Sequence, residues 1–185
     1  MTTQWLIFGT LAVVLAVALG HDLATRRIPN WLVASALLAA VVLNVLAAAT
    51  TGVLSGATAG LGKSLLGALT GLIVMLPLYL LHAMGAGDVK LMAAVGAFLG
   101  PLPTLGAVLL VLLAGGVLSL IAALCSGTLK RVADNLRWIT IGALSGGLCR
   151  TGDVQTTGRL PYALAIAAGT ALQLWAATQA SWPFK

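Results

Sequence analysis

The chain has 185 residues, of which 60% are apolar and only 8% charged, against about 45–50% and about 25% in a soluble domain. That excludes an ordinary soluble globule, a disordered tail and a nucleic-acid-binding module, and roughly 20 residues per crossing leave room for about six membrane helices. The formal charge of +6, from ten Lys and Arg against four Asp, reads as cytoplasmic-loop bias and attraction to anionic lipid headgroups.

Six apolar runs follow one another, at residues 5–19, 31–49, 65–81, 89–99, 105–124 and 160–180. None alternates with period two, so the expected fold is an all-α polytopic membrane protein of six transmembrane helices. The first run has no basic residue before it and is read as a retained helix, not a signal peptide. Between the first and second runs stands Gly20-His21-Asp22-Leu23-Ala24-Thr25-Arg26-Arg27-Ile28-Pro29-Asn30-Trp31. Pro29 is expected in the first turn of the second helix, and it disfavours helix at Ile28. Gly-x-x-x-Gly spacings at 56/60, 67/71, 96/100 and 142/146 permit close helix approach and carry no chemistry.

The fourth run is only about 16 Å long as a helix, against a bilayer core of roughly 30 Å. It either borrows neighbouring residues or enters and leaves on one side. If all six runs span, Arg26, Arg27, Lys90, Lys130, Arg131, Arg137, Arg150 and Arg159 share one side, and Lys63 and Lys185 the other. A re-entrant fourth run weakens that bias, so the positive-inside rule favours six spans with both termini outside. The segments after runs one, three and five then share the cytoplasmic side. In the long loop before the last span, Leu129, Val132, Leu136 and Ile139 recur at helical spacing, which predicts a short amphipathic helix on the cytoplasmic leaflet. The whole of 1–185 is expected as one integral-membrane domain. Trp5, Trp31, Trp175 and Trp182 fall near run ends as interfacial anchors, and Lys63 snorkels.

With four carboxylates in the chain, each can be weighed alone. Asp134 and Asp153 lie among the cations of the long loop and read as screened surface ion pairs. Asp22 and Asp88 lie at the edges of apolar runs on one side of the membrane, where an ionisable group is costly and points to function. Asp88 follows Met84-Gly85-Ala86-Gly87. Gly85 and Gly87 allow a sharp turn, a positive φ or close backbone approach, and Asp88 is expected at a helix N-cap. Two neighbouring aspartates cannot both ionise, so one keeps a proton while the other activates water. The pair needs no metal cofactor, and its substrate should be a peptide bond bordering an apolar helix.

Other readings compete. His21 and His82 near the aspartates raise a metal site, but no ligand spacing supports one. A small transporter or channel could use Asp22 and Asp88 as proton or cation sites, although both sit at one face instead of near the midplane. A catalytically inert scaffold is the third. Cys125 and Cys149 form no C-x-x-C motif and read as reduced bystanders. Lys90 either contacts lipid phosphate or tunes a nearby carboxylate.

Asp22 with Arg27-Ile28-Pro29-Asn30, followed by Gly85-Ala86-Gly87-Asp88-Val89-Lys90, resembles the prepilin peptidases, the Gly-x-Gly-Asp membrane aspartic proteases of type IV pilus systems. Leu160-Pro161-Tyr162-Ala163 at the last run resembles the same family less specifically. The resemblance implies that Asp22 and Asp88 are catalytic, with Gly85, Gly87, Lys90, Arg27, Pro29 and Asn30 forming the active-site loops that position substrate. It implies a prepilin partner whose short basic leader is removed just before its apolar helix, at the cytoplasmic face of a bacterial inner membrane. The larger members also methylate the new amino terminus through a region with paired cysteine motifs. This chain is closer to the minimal peptidases of tight-adherence (Flp) pili, without methylation. From helix dipoles alone, Asp88 at a helix start is expected to be the ionised base and Asp22, after a helix end, the proton holder.

Overall fold

A computed structural model describes residues 2–49, 53–81, 84–125, 162–179 and 183–184. The described residues form six α-helices and no strand: α1 (Thr2–Thr25), α2 (Asn30–Ala49), α3 (Val53–Leu80), α4 (Ala86–Leu99), α5 (Pro101–Cys125) and α6 (Tyr162–Ala176). α1, α2, α3 and α5 are long and apolar enough to cross a membrane; α4 and α6 have 14 and 15 residues. The amphipathic helix expected at 129–139 and the Gly142/Gly146 pair lie outside the described residues. Packing divides the chain into two units, 1–114 with 161–185, and 115–160. The described part of the second unit is the end of α5.

Several helices start or stop away from their apolar runs, for local reasons. α1 continues past residue 19 because nothing before Arg26 breaks it. There the backbone turns left-handed (φ 52°), while the Thr25 hydroxyl and the Arg26 N–H donate back to the carbonyls of His21 and Asp22 at 2.9 Å. Asp22 therefore lies inside the last turn of α1, not beyond it. Pro29 precedes α2 instead of sitting in its first turn. Its carbonyl accepts the Leu32 N–H at 3.1 Å, and its missing N–H costs nothing there. α3 begins twelve residues ahead of its apolar run, since Gly56, Gly60, Gly62 and Lys63 dilute hydropathy without breaking a helix.

α4 is the core of the first unit. Every residue from 91 to 100 is buried, and α1, α2, α3 and α6 all pack on it. A helix that is apolar on all sides is covered by protein or by lipid, and the burial of 91–100 shows that this one is enclosed by protein. That accounts for an element of about 21 Å, short of a bilayer core.

Small residues set how close these helices come. A Cβ on Gly67 of α3 or Gly96 of α4 would collide with the other's carbonyl oxygen, and one on Gly71 would stand 2.5 Å from the Met92 oxygen. Gly60 meets the Asn44 carbonyl of α2 in the same way, at 2.5 Å. Buried Asn44 joins three helices. Its amide nitrogen lies 3.1 Å from the Ser64 hydroxyl, 3.0 Å from the Ala97 carbonyl and 3.3 Å from that of Phe98. It thus serves the end of α4, whose last carbonyls have no partner within the helix.

Candidate active site

At the other end of α4, four chain segments converge: the last turn of α1, the 26–30 loop, the start of α4 and the start of α6. Gly85 is the N-cap of α4, in extended conformation (φ −79°, ψ 153°). Asp88 is therefore the third helical residue, not the N-cap. Its Oδ2 reaches back to accept the Gly85 N–H at 3.1 Å, the N3 half of a capping box. The local sequence explains the choice: an extended glycine opens the helix, and a carboxylate one turn on satisfies an amide that the helix leaves free.

Neither Gly85 nor Gly87 has a positive φ, so left-handed backbone is not why they are glycines. Space is. A Cβ on Gly85 would stand 3.2 Å from the Asp88 Oδ2, and one on Gly87 would stand 3.3 Å from the Ile28 Cβ. Ile28 thus packs the 26–30 loop onto the first turn of α4. We expect Gly85→Ala and Gly87→Val to lower turnover by between about tenfold and about 100-fold, through displacement of the carboxyl and of the loop respectively. Circular dichroism should report an unchanged helix content. Full activity in both variants would show that the glycines only fill space.

Asp22 is buried. Its Oδ2 accepts the Ala163 N–H at 3.3 Å, from the first turn of α6. The two aspartates, from α1 and α4, lie close enough that the Asp22 charge acts on the Asp88 carboxyl. Asp88 precedes the apolar run at 89–99 and lies outside the four long spans. Burial first, and then the Asp22 charge, push its carboxyl up to about 6 against the pull of the Gly85 amide. Tyr162, at the first turn of α6, is close enough to feel the Asp88 charge.

This arrangement weakens the basis of the dipole-based expectation. That expectation placed Asp22 at the unfavourable end of α1 and took no account of α6. Asp22, in the last turn of α1, also accepts an amide from the start of α6, which offsets the unfavourable dipole, and burial raises the Asp88 carboxyl.

The other expected site residues fall into two groups. Lys90 donates from Nζ to the Asn30 Oδ1 at 3.1 Å, so its partner is the first residue of α2. That contact and Ile28 on Gly87 tie the loop to α4 twice. Arg27 is exposed and forms no ion pair with either aspartate among the described residues. Its carbonyl accepts the Thr25 hydroxyl at 3.2 Å. The His21 ring meets Trp31 edge-on, with centroids 6.2 Å apart, and His82 lies outside the described residues. Sequence reasoning assigned no role to the Ala163 amide or to Ile28. A backbone donor leaves no mark in a sequence, and one isoleucine in an apolar chain is no signal.

Asp22 and Asp88, with an amide donor to each, constitute a pair of carboxyl groups suited to acid–base work. Residues 9–120, which include both aspartates, both glycines and Lys90, match the type IV leader peptidase family. No curated protein and no solved structure matches the chain.

Proposed function

The chain belongs to the type IV leader peptidase family and is a membrane-embedded protease, and from that premise we propose that it is an aspartic endopeptidase of Flp-type prepilins. Asp22 and Asp88 are its catalytic pair. Its substrate carries a short basic leader followed by an apolar helix, and the cut falls between them at the cytoplasmic face of the bacterial inner membrane. α4 and α6 complete six spans, both termini lie outside, and residues 1–185 act as one peptidase domain. The observation that carries this reading is the meeting of two carboxyl groups from α1 and α4, each held by a backbone amide.

In the resting pair the shared proton is on Asp88. Water attacks the scissile carbonyl carbon as Asp22 takes one of its protons, and Asp88 gives its proton to the carbonyl oxygen. The tetrahedral intermediate then breaks at the C–N bond. The proton on Asp22 passes to the leaving amine, and Asp88 recovers its own as the carbonyl re-forms. Removing the leader frees the amino terminus of the apolar helix; Gly85 leaves room for the Asp88 carboxyl and Gly87 for Ile28.

Because Asp88 must be protonated and titrates at about 6, kcat/KM should fall as pH rises through that value, by about 50-fold between pH 6 and pH 8. A rate that climbs across this interval would contradict the assignment. Carbonyl-stretch infrared spectra at pH 5.5 supply the second check. The protonated-carboxyl band should vanish in Asp88→Asn and persist in Asp22→Asn; the opposite pattern moves the proton to Asp22. The function itself is tested by co-expression with Flp-type prepilins, in which wild type shortens the precursor on a gel and either Asn variant leaves it full length.

A further inference from the structure

At the end of the bundle away from the aspartates, α1, α2 and α3 line an open cleft of about 460 Å³. Thr3, Gln4, Asn44 and Lys63 supply its polar wall, and Ile7 and Ala59 are among its apolar residues. It stands about 28 Å from Asp22 along the axis of α1, close to one bilayer core of roughly 30 Å. The two sites thus face opposite leaflets when the bundle spans.

The polar wall has one chemical character. Lys63 brings an ammonium with three donors, Gln4 an amide and Thr3 a hydroxyl, and among the described residues no carboxylate lines the cleft. Among the described residues none of these three side chains has a hydrogen bond or ion pair. Asn44 is already committed to Ser64 and the end of α4. The stem of Lys63 passes beside Gly100, where an added Cβ would stand 2.9 Å from its Cε. The volume greatly exceeds the ~30 Å³ share of one water. Beside the cleft, Leu6, Leu46 and Leu61 are exposed on the same three helices, a surface for acyl chains.

We propose that this cleft binds a phosphate group, with Lys63 as its counter-ion and Gln4 and Thr3 as neutral donors. A membrane phospholipid and free phosphate present the same oxygens, and the apolar flank accommodates the lipid tails. The site is independent of the aspartate pair and of the proposed substrate.

The test uses the full chain in dodecylmaltoside micelles, which contain no phosphate. Acetylation of Lys63 is followed by mass spectrometry, with Lys90 as internal reference, while phosphatidylglycerol, diacylglycerol or sodium phosphate is added. Phosphatidylglycerol should slow Lys63 acetylation at least about fivefold relative to Lys90, and diacylglycerol should not. Equal protection by sodium phosphate keeps the site and makes its ligand soluble. Ala59→Trp fills the cleft and should abolish the protection; should that variant not fold, Gln4→Ala should reduce it. Protection that is equal at Lys63 and Lys90, that diacylglycerol reproduces, or that survives these substitutions would overturn the proposal. So would its absence with both phosphate compounds.

Discussion

Asp22→Asn and Asp88→Asn should each slow leader removal by about 10²- to 10⁴-fold, the range contributed by a positioned general acid or base, and neither should unfold the protein. The two losses have different causes. Without the Asp22 carboxylate nothing takes the proton from water; without the Asp88 proton the carbonyl oxygen develops charge that no acid meets. The folded state tolerates the second change for a reason rooted in pKa. The Asp88 carboxyl titrates at about 6 in the fold, above its ordinary 3.8, so the fold favours its protonated form. The stability from that preference is fully present below about 3.8 and lost as pH rises through about 6. A neutral Asn at 88 carries no such loss at pH 7. Thermal unfolding of the variants in detergent checks the fold, and precursor cleavage checks the chemistry. Turnover that survives either substitution removes the aspartic-protease mechanism.

Gly67→Val and Gly96→Val should each destabilise the bundle by about 3 kcal/mol or more, the upper reach of overpacking. At both positions the new Cβ collides with a backbone carbonyl oxygen of the facing helix. A side chain can swing away from such a contact; a backbone yields only if α3 and α4 separate. Separation would open the enclosed face of α4 and pull its first turn, with Asp88, away from Asp22. Activity should therefore fall together with stability, unlike the behaviour of the aspartate variants. Gly9→Ala and Gly62→Ala are the controls, since a Cβ at either meets nothing within 4 Å. Alanine also has the better helix propensity, by about 1 kcal/mol. Denaturation midpoints for the four variants separate the two classes, and an unshifted Gly67→Val would show that the packing tolerates a wider spacing.

The sequence exposed the parts of this molecule that are local or periodic. Long apolar runs mark α1, α2 and α5, and an acidic residue at a run edge stands out where charge is scarce. Asp22 and Asp88 are legible for that reason, as is the loop that Pro29 ends. The glycine spacings at 67/71 and 96/100 forecast close approach, and the structure sets Gly67 against Gly96 and Gly100, and Gly71 against Met92. The run at 89–99 is ambiguous because periodicity does not distinguish a lipid-facing helix from one enclosed by protein. Only the tertiary contacts of α4 resolve that. The start of α3 is hidden because glycines and Lys63 lower hydropathy while remaining compatible with helix.

Long-range pairings are silent in the sequence. Lys90 with Asn30, Ile28 over Gly87 and the Ala163 amide on Asp22 each join segments that only the fold brings together. The proton assignment depended on the last of these. Helix dipoles of α1 and α4 leave out the start of α6, whose Ala163 amide reaches Asp22, and the burial that raises Asp88.

The central claim is that one pair of aspartates cuts a peptide bond where a basic leader meets an apolar helix. It is tested most directly with the purified full chain in proteoliposomes, a purified Flp-type prepilin, a metal chelator and mass spectrometry of the products. The expected result is a single cut between the basic leader and the apolar helix, made by wild type with the chelator present and absent with Asp22→Asn or Asp88→Asn. An intact prepilin after incubation with folded wild type, or the same cut made by either Asn variant, would contradict it.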